Sequence, residues 1–133
     1  MMGWMKLYVA ARFNGSENNS DIERLCAAVR SAGMDDYCFV RDVERIDDQK
    51  ELFAKAYQEI AACDAFLIDV SDSPSGGRVV EAGIAYALQK PVFVIVKNGV
   101  GYRELYDGIS TAVIHYDQYD DISESLAEYV PKS

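Results

Sequence analysis

The sequence predicts an α/β fold, a single-domain three-layer sandwich around a five-stranded parallel sheet, on three observations. The chain has 133 residues, 50% hydrophobic and 26% charged, which suits one compact globular domain and leaves no room for a second. Several short apolar runs lack the in–out alternation of a half-exposed strand, so both of their faces must be covered. Segments with helical periodicity separate those runs, the pattern of a parallel sheet with right-handed crossovers.

The elements follow in order. KLYVAAR, Lys6 to Arg12, is an apolar run that ends in the turn NGS and reads as the first strand. SDIERLCAAVRSAG places Ile22, Leu25, Cys26 and Val29 at helical spacing, with Ser20 as N-cap, Glu23 as its capping-box partner and Gly33 as the stop. Tyr37 to Val40 is the second strand. From Asp48 to Cys63, Leu52, Phe53, Ala56, Ile60 and Cys63 share one helical face. DAFLIDV, Asp64 to Val70, is the third strand, followed by a Ser/Pro/Gly loop and a helix from Gly77 to Gln89. PVFVIV (Pro91 to Val96) and TAVIHY (Thr111 to Tyr116) are the fourth and fifth strands. A short helix over Tyr102 to Asp107 lies between them, and a last helix covers Asp121 to Tyr129. Five such units suggest a flavodoxin-like or Rossmann-like sheet in the order 2-1-3-4-5, whose ligands bind beyond the carboxyl ends of the strands where the order reverses. That rule sets the loops after strand one (Arg12 to Gly15) and strand three (Ser71 to Gly77) side by side.

Composition narrows the partners. A formal charge of −9 with scattered acids argues against a nucleic acid polymer, which is held by clustered Lys and Arg. A small phosphorylated ligand stays open, since a few backbone amides and one arginine can hold it. No stretch approaches the ~20 apolar residues that span a bilayer, and MMGWMKLYVAARF has no basic leader, so the expectation is a cytoplasmic protein with no membrane partner. Cys26, Cys38 and Cys63 are an odd number without CxxC spacing and read as buried free thiols. One histidine, His115 in an apolar strand, and no cysteine cluster leave no expected metal site. Asp69 ends its strand as a phosphate-accepting aspartate would, but Arg12 and Phe13 stand where that chemistry needs an acidic pair.

The loop SDSPSGGRVVEAG, residues 71–83, lies where a site should be. Gly76 and Gly77 permit close backbone approach, Ser75 offers a hydroxyl, and the helix start presents unpaired amides to an anion. The pattern is neither GxGxxG nor a Walker loop, so it carries no dinucleotide or ATP reading. Glu81 stands among apolar neighbours near the start of that helix. It is either an ordinary acid favoured by the helix dipole or a reactive carboxylate, since a carboxylate can attack an anomeric carbon and form a glycosyl-enzyme.

Asp64 to Val96, DAFLIDVSDSPSGGRVVEAGIAYALQKPVFVIV, resembles the nucleoside 2-deoxyribosyltransferase superfamily, which includes the 2-deoxynucleoside 5-monophosphate N-hydrolases. The shared features are a strand ending in an Asp-rich turn, a Ser/Gly loop, E-x-G-x-A-x-A, and K-P before a strand. LYVAARF is similar to the family's first strand. The resemblance implies that Glu81 is the nucleophile on C1 of the deoxyribose and that Ser75, Gly76 and Gly77 hold a phosphate or sugar hydroxyl. It places Tyr8, Arg12, Phe13, Asn14 and Gly15 against the substrate, a small-molecule nucleoside or nucleotide. It implies no metal or organic cofactor. A serine six residues before Glu81 is more like the hydrolase branch than the base-exchange branch.

Ala56 departs from the pattern, standing where the family carries an aspartate on the second helix. Asp69 and Asp72, at the end of the third strand, or Asp42 after the second, are the carboxylates available to take its catalytic part. If none does, a non-catalytic nucleotide-sensing module remains as an alternative. A cytokinin-activating-type phosphoribohydrolase is another, echoed by PSGGRVVE without the threonine of its PGGxGTxxE loop. The helix from Gly77 is apolar nearly all round, more than one sheet face can cover, which implies a homodimer or higher homo-oligomer.

Overall fold

A computed structural model describes residues 5–12 and 18–131. Five parallel strands stand in the order β2-β1-β3-β4-β5, the arrangement the apolar runs predict. They are β1 (Met5–Ala10), β2 (Met34–Cys38), β3 (Ala65–Asp69), β4 (Val92–Lys97) and β5 (Ala112–Tyr116). β3 is buried along its whole length, and β4 along all but its last residue. The order reverses between β1 and β3, whose register pairs Tyr8 with Phe66 and Ala10 with Ile68.

Period-two alternation divides the core. Leu7, Val9, Leu67, Phe93 and Ile95 pack with α1 (Asn19–Ser31) and α6 (Ile122–Ala127) on one face. Tyr8, Ala10, Phe66, Ile68, Val94 and Val96 face the opposite way. There they meet α3 (Gln49–Ala62) through Ile60 and α4 (Gly77–Ala87) through Ala82 and Ala85. The parity of a strand residue therefore decides which side of the molecule its side chain serves.

Local rules explain the element ends. Asp48 caps α3, its carboxylate accepting from the Glu51 amide at 3.1 Å. Gly33 follows α1 at φ 93°, in the left-handed region glycine tolerates. Gln89, at φ 60°, lies just past α4, which closes two residues before the expected Gln89.

Other elements differ more. The second strand runs over Met34–Cys38 rather than Tyr37 to Val40, because the chain curls into a short helix, α2 (Phe39–Asp42). The Asp42 carboxylate accepts from the Cys38 amide at 3.0 Å and holds that curl. Ser20 is not the N-cap: α1 begins at Asn19, and Glu23 reaches sideways to Arg30 and Arg41 instead of back to the helix start. The short helix before β5 is α5 (Leu105–Ile109), three residues later than expected at its start. The final helix is shortened to α6 behind a 3-10 turn at Tyr119–Asp121, where the Asp121 carboxylate accepts from the Gln118 amide at 2.9 Å. Cys26, Cys38 and Cys63 are buried free thiols. Among the described residues no helix is long and apolar enough to cross a membrane.

Candidate active site

Tyr8 points from β1 to the α4 side by parity, and its ring packs against Phe66 (5.4 Å, 15° between planes) and Tyr37 (5.6 Å). Fully buried there, its hydroxyl donates a hydrogen bond to Oε2 of Glu81. Burial and the adjacent carboxylate push the Tyr8 phenol far above its ordinary range, so it remains a donor. Glu81 lies in the second turn of α4 and is half-buried. Desolvation raises its carboxyl above the ordinary value, opposed by the Tyr8 hydrogen bond and the Arg78 charge.

Glu81 opens onto a cleft of about 360 Å³ at the carboxyl edge of the sheet, bounded on one side by Ser75, Gly77 and Arg78. Arg12 borders it after β1, and Phe39, Val40, Leu52, Phe53 and Ala56 form an apolar wall. Leu52 and Phe53 share the inward face of α3 but are only half-buried, because the cleft takes the place of a packing partner. Among the described residues Glu81 is the sole carboxylate lining this cleft. Ala56, 2% exposed, brings no acid to the wall.

The loop before α4 is shaped for close approach. Gly76 adopts φ 63° and ψ −127°, a region that side chains avoid, and a Cβ at either Gly76 or Gly77 would meet no atom within 4 Å. Open space in front of two glycines at a helix start is room for a ligand against backbone amides.

Of the residues singled out from sequence, Tyr8, Arg12, Ser75, Gly77 and Glu81 come together around this cleft, with Gly76 in the adjoining turn. Phe13, Asn14 and Gly15 lie outside the described residues. Asp69 and Asp72 do not join Glu81. Asp69 shares the parity of Leu67 and faces the α1 side, 8% exposed, where it accepts from the Tyr116 hydroxyl at 2.6 Å and the Ser71 amide at 3.0 Å. Asp72 is held by Arg78, whose Nη1 and Nη2 donate to its two oxygens at 3.0 and 2.6 Å. Burial alone would raise the Asp72 carboxyl, but the Arg78 hydrogen bond and charge overcome it and hold it below its ordinary value. Both aspartates line a separate cleft of about 330 Å³ on the α1 side, with Lys97, Tyr116 and Tyr119. Asp42 caps α2, bound to the Cys38 amide and to Arg41. His115 is exposed on β5, and among the described residues no cluster of His, Cys, Asp and Glu could hold a metal. The apolar wall and Arg78 are the parts of this cleft that sequence reasoning missed.

A parallel α/β sheet with an acid-bearing cleft at its switch point defines a domain of the doubly wound class. Residues 7–118 match the profile of the nucleoside 2-deoxyribosyltransferase family, and the chain belongs to that family. Solved structures agree on the fold. A CMP N-glycosidase from Clostridium botulinum superposes with a TM-score of 0.69 at 20% identity, covering 93% of this chain and 98% of that one. A 2-deoxyribosyltransferase from Bacillus psychrosaccharolyticus gives 0.70 at 17% identity, with coverage of 91% and 95%. The corresponding enzyme from Leishmania mexicana gives 0.71 at 18%, with coverage of 94% and 98%. No curated protein sequence matches the chain.

Proposed function

We propose that the protein cleaves or transfers at the N-glycosidic bond of a 2-deoxynucleoside or its 5-monophosphate, with Glu81 as nucleophile. The observation that carries this reading is the half-buried Glu81 carboxylate at the cleft, bound by the Tyr8 hydroxyl. Family membership and the N-glycosidase and deoxyribosyltransferase activities of the structural relatives support it. Glu81 attacks C1, the bond from C1 to the base nitrogen breaks, and a glycosyl ester of Glu81 forms. Water or a second base then takes C1 and frees the carboxylate. With water, its hydroxyl goes to the sugar and its proton to the departed base; with a second base, its ring nitrogen bonds C1 and its N–H proton goes to the departed base. Tyr8 orients the carboxylate throughout. Ser75, Gly77 and Arg12 hold the sugar or its phosphate, and the wall of Phe39, Val40, Leu52 and Phe53 takes the base.

The test is release of free base from a panel of deoxynucleosides and their 5-monophosphates, separated by chromatography. Wild type releases base and Glu81→Ala does not; equal release by both rejects the role of Glu81. A second reading, nucleotide binding without turnover, is favoured by Ala56 and by the lone carboxylate of the cleft. Saturable nucleotide binding with no base released over long incubation selects it. The exposed apolar side chains Tyr57, Val80 and Tyr86 on α3 and α4 support assembly with a second copy of the chain.

A further inference from the structure

Arg78 is not a solvated surface arginine. Its side chain is only 16% exposed, at the first turn of α4, and three hydrogen bonds fix its guanidinium. Nη1 donates to the Asp69 carbonyl at 3.0 Å and to Asp72 Oδ1 at 3.0 Å, and Nη2 donates to Asp72 Oδ2 at 2.6 Å. These acceptors sit where β3 gives way to the 71–77 loop. That loop contains two residues in the left-handed half of backbone space, Ser73 at φ 54° and Gly76 at φ 63°. Ser73 carries a side chain in that region and persists there only where its surroundings hold it, and a bidentate arginine–carboxylate pair is a rigid hold. Arg78 and Glu81 are three residues apart on α4 and line the same cleft, the spacing at which helical side chains are neighbours.

We propose that Arg78 is a positioning residue, fastening the 71–77 loop, and with it Ser75 and Gly77, to the end of β3 while its charge faces Glu81. The proposal rests on the reading of Glu81 as nucleophile. The other polar groups around Glu81 are Tyr8 from β1, Arg12 after it and Ser75 of the loop, while α2 and α3 present Phe39, Val40, Leu52, Phe53 and Ala56. Lys55 and Glu59 of α3 are paired with each other at 2.8 Å. Burial holds the Glu81 carboxyl above its ordinary value against Tyr8 and Arg78, so loss of the Arg78 charge moves its titration to higher pH.

Two variants of the full chain separate the two roles of Arg78: R78Q removes the charge, and R78K keeps the charge and loses the fork. The readouts are the Glu81 carboxyl titration by carbon-13 NMR and the pH profile of base release. R78Q is expected to titrate at higher pH and to lose more than about tenfold in kcat/KM. R78K is expected to keep the wild-type titration with KM raised about tenfold. An R78Q titration identical to wild type overturns the proposal. A shifted titration in a protein that releases no base upholds the coupling of Arg78 to Glu81 and rejects only the glycosidic reading. Should R78Q not fold, Asp72→Asn removes the charged anchor with Arg78 still present. Its KM rises if the loop is held in this way, and an unchanged KM overturns the proposal.

Discussion

Glu81 and Tyr8 are 73 positions apart in the chain, and their hydrogen bond makes two predictions. Burial raises the Glu81 carboxyl, so the native state binds its proton more tightly than the unfolded chain does. Stability attached to that proton is present below the ordinary carboxylate range and lost as pH rises toward the raised value. Glu81→Gln removes the titration and keeps an acceptor for Tyr8. It is therefore expected to abolish base release while unfolding at a higher temperature than wild type at pH 7, a gain that shrinks in acid; thermal scans at pH 7 and pH 4 check both signs. Tyr8→Phe takes away the donor that favours the ionised carboxylate, at a buried ring position phenylalanine fills without a cavity. The acid limb of the activity profile should move to higher pH. With a hydrogen bond to a charged group worth ~1.5–3 kcal/mol, kcat/KM is expected to fall by about tenfold to a hundredfold. A profile that keeps its acid limb would show that Tyr8 packs but does not tune.

The start of α4 separates backbone strain from ligand contact within two adjacent glycines. Gly76 adopts φ 63° and ψ −127°, whereas Gly77 is already helical, and neither Cβ would touch a neighbour. Gly76→Ala is thus expected to cost about 1–3 kcal/mol through its backbone alone, read by denaturant unfolding. Gly77→Ala should leave stability nearly unchanged and raise KM, because its methyl group fills the space in front of the helix amides. The strands show how far such elements were legible beforehand. β3 and β4 are continuous apolar runs, and their limits were readable to within a residue or two. β2 was not, since this edge strand carries Asp35 and Asp36 and its end is set by the Asp42 carboxylate on the Cys38 amide. Asp69 illustrates a signal present but unused. Counting parity from Phe66 and Ile68 puts Asp69 on the face away from α4, so it could not meet Glu81.

The whole molecule was legible where burial dictates pattern: the covered central strands, one switch point, and one acid near the start of an apolar helix. The remainder depends on contacts between distant segments. Arg78 has no assigned part in the sequence until Asp69 and Asp72 are seen to bind it, and Leu52 and Phe53 look like core until the cleft opens beside them. The outer face of α3 and α4 follows the same logic. A sheet covers only one side of a helix, and α4 leaves Val80 and Tyr86 48% and 55% exposed beside Tyr57 at 50%. If a second copy covers this face, sedimentation velocity shows a dimer or larger species that dissociates on dilution. The formal charge of −9 on each copy opposes the approach of two copies, so added salt should strengthen the association by screening it. Tyr86→Glu sets a further carboxylate on each side of the contact and is expected to weaken self-association by tenfold or more, on the order of 1.4 kcal/mol. Tyr86 lies on α4 beyond Glu81, so the variant should keep its fold by circular dichroism. A wild-type chain that sediments as a monomer at every concentration and salt would leave the apolar face of α4 open to water and remove the case for a second copy.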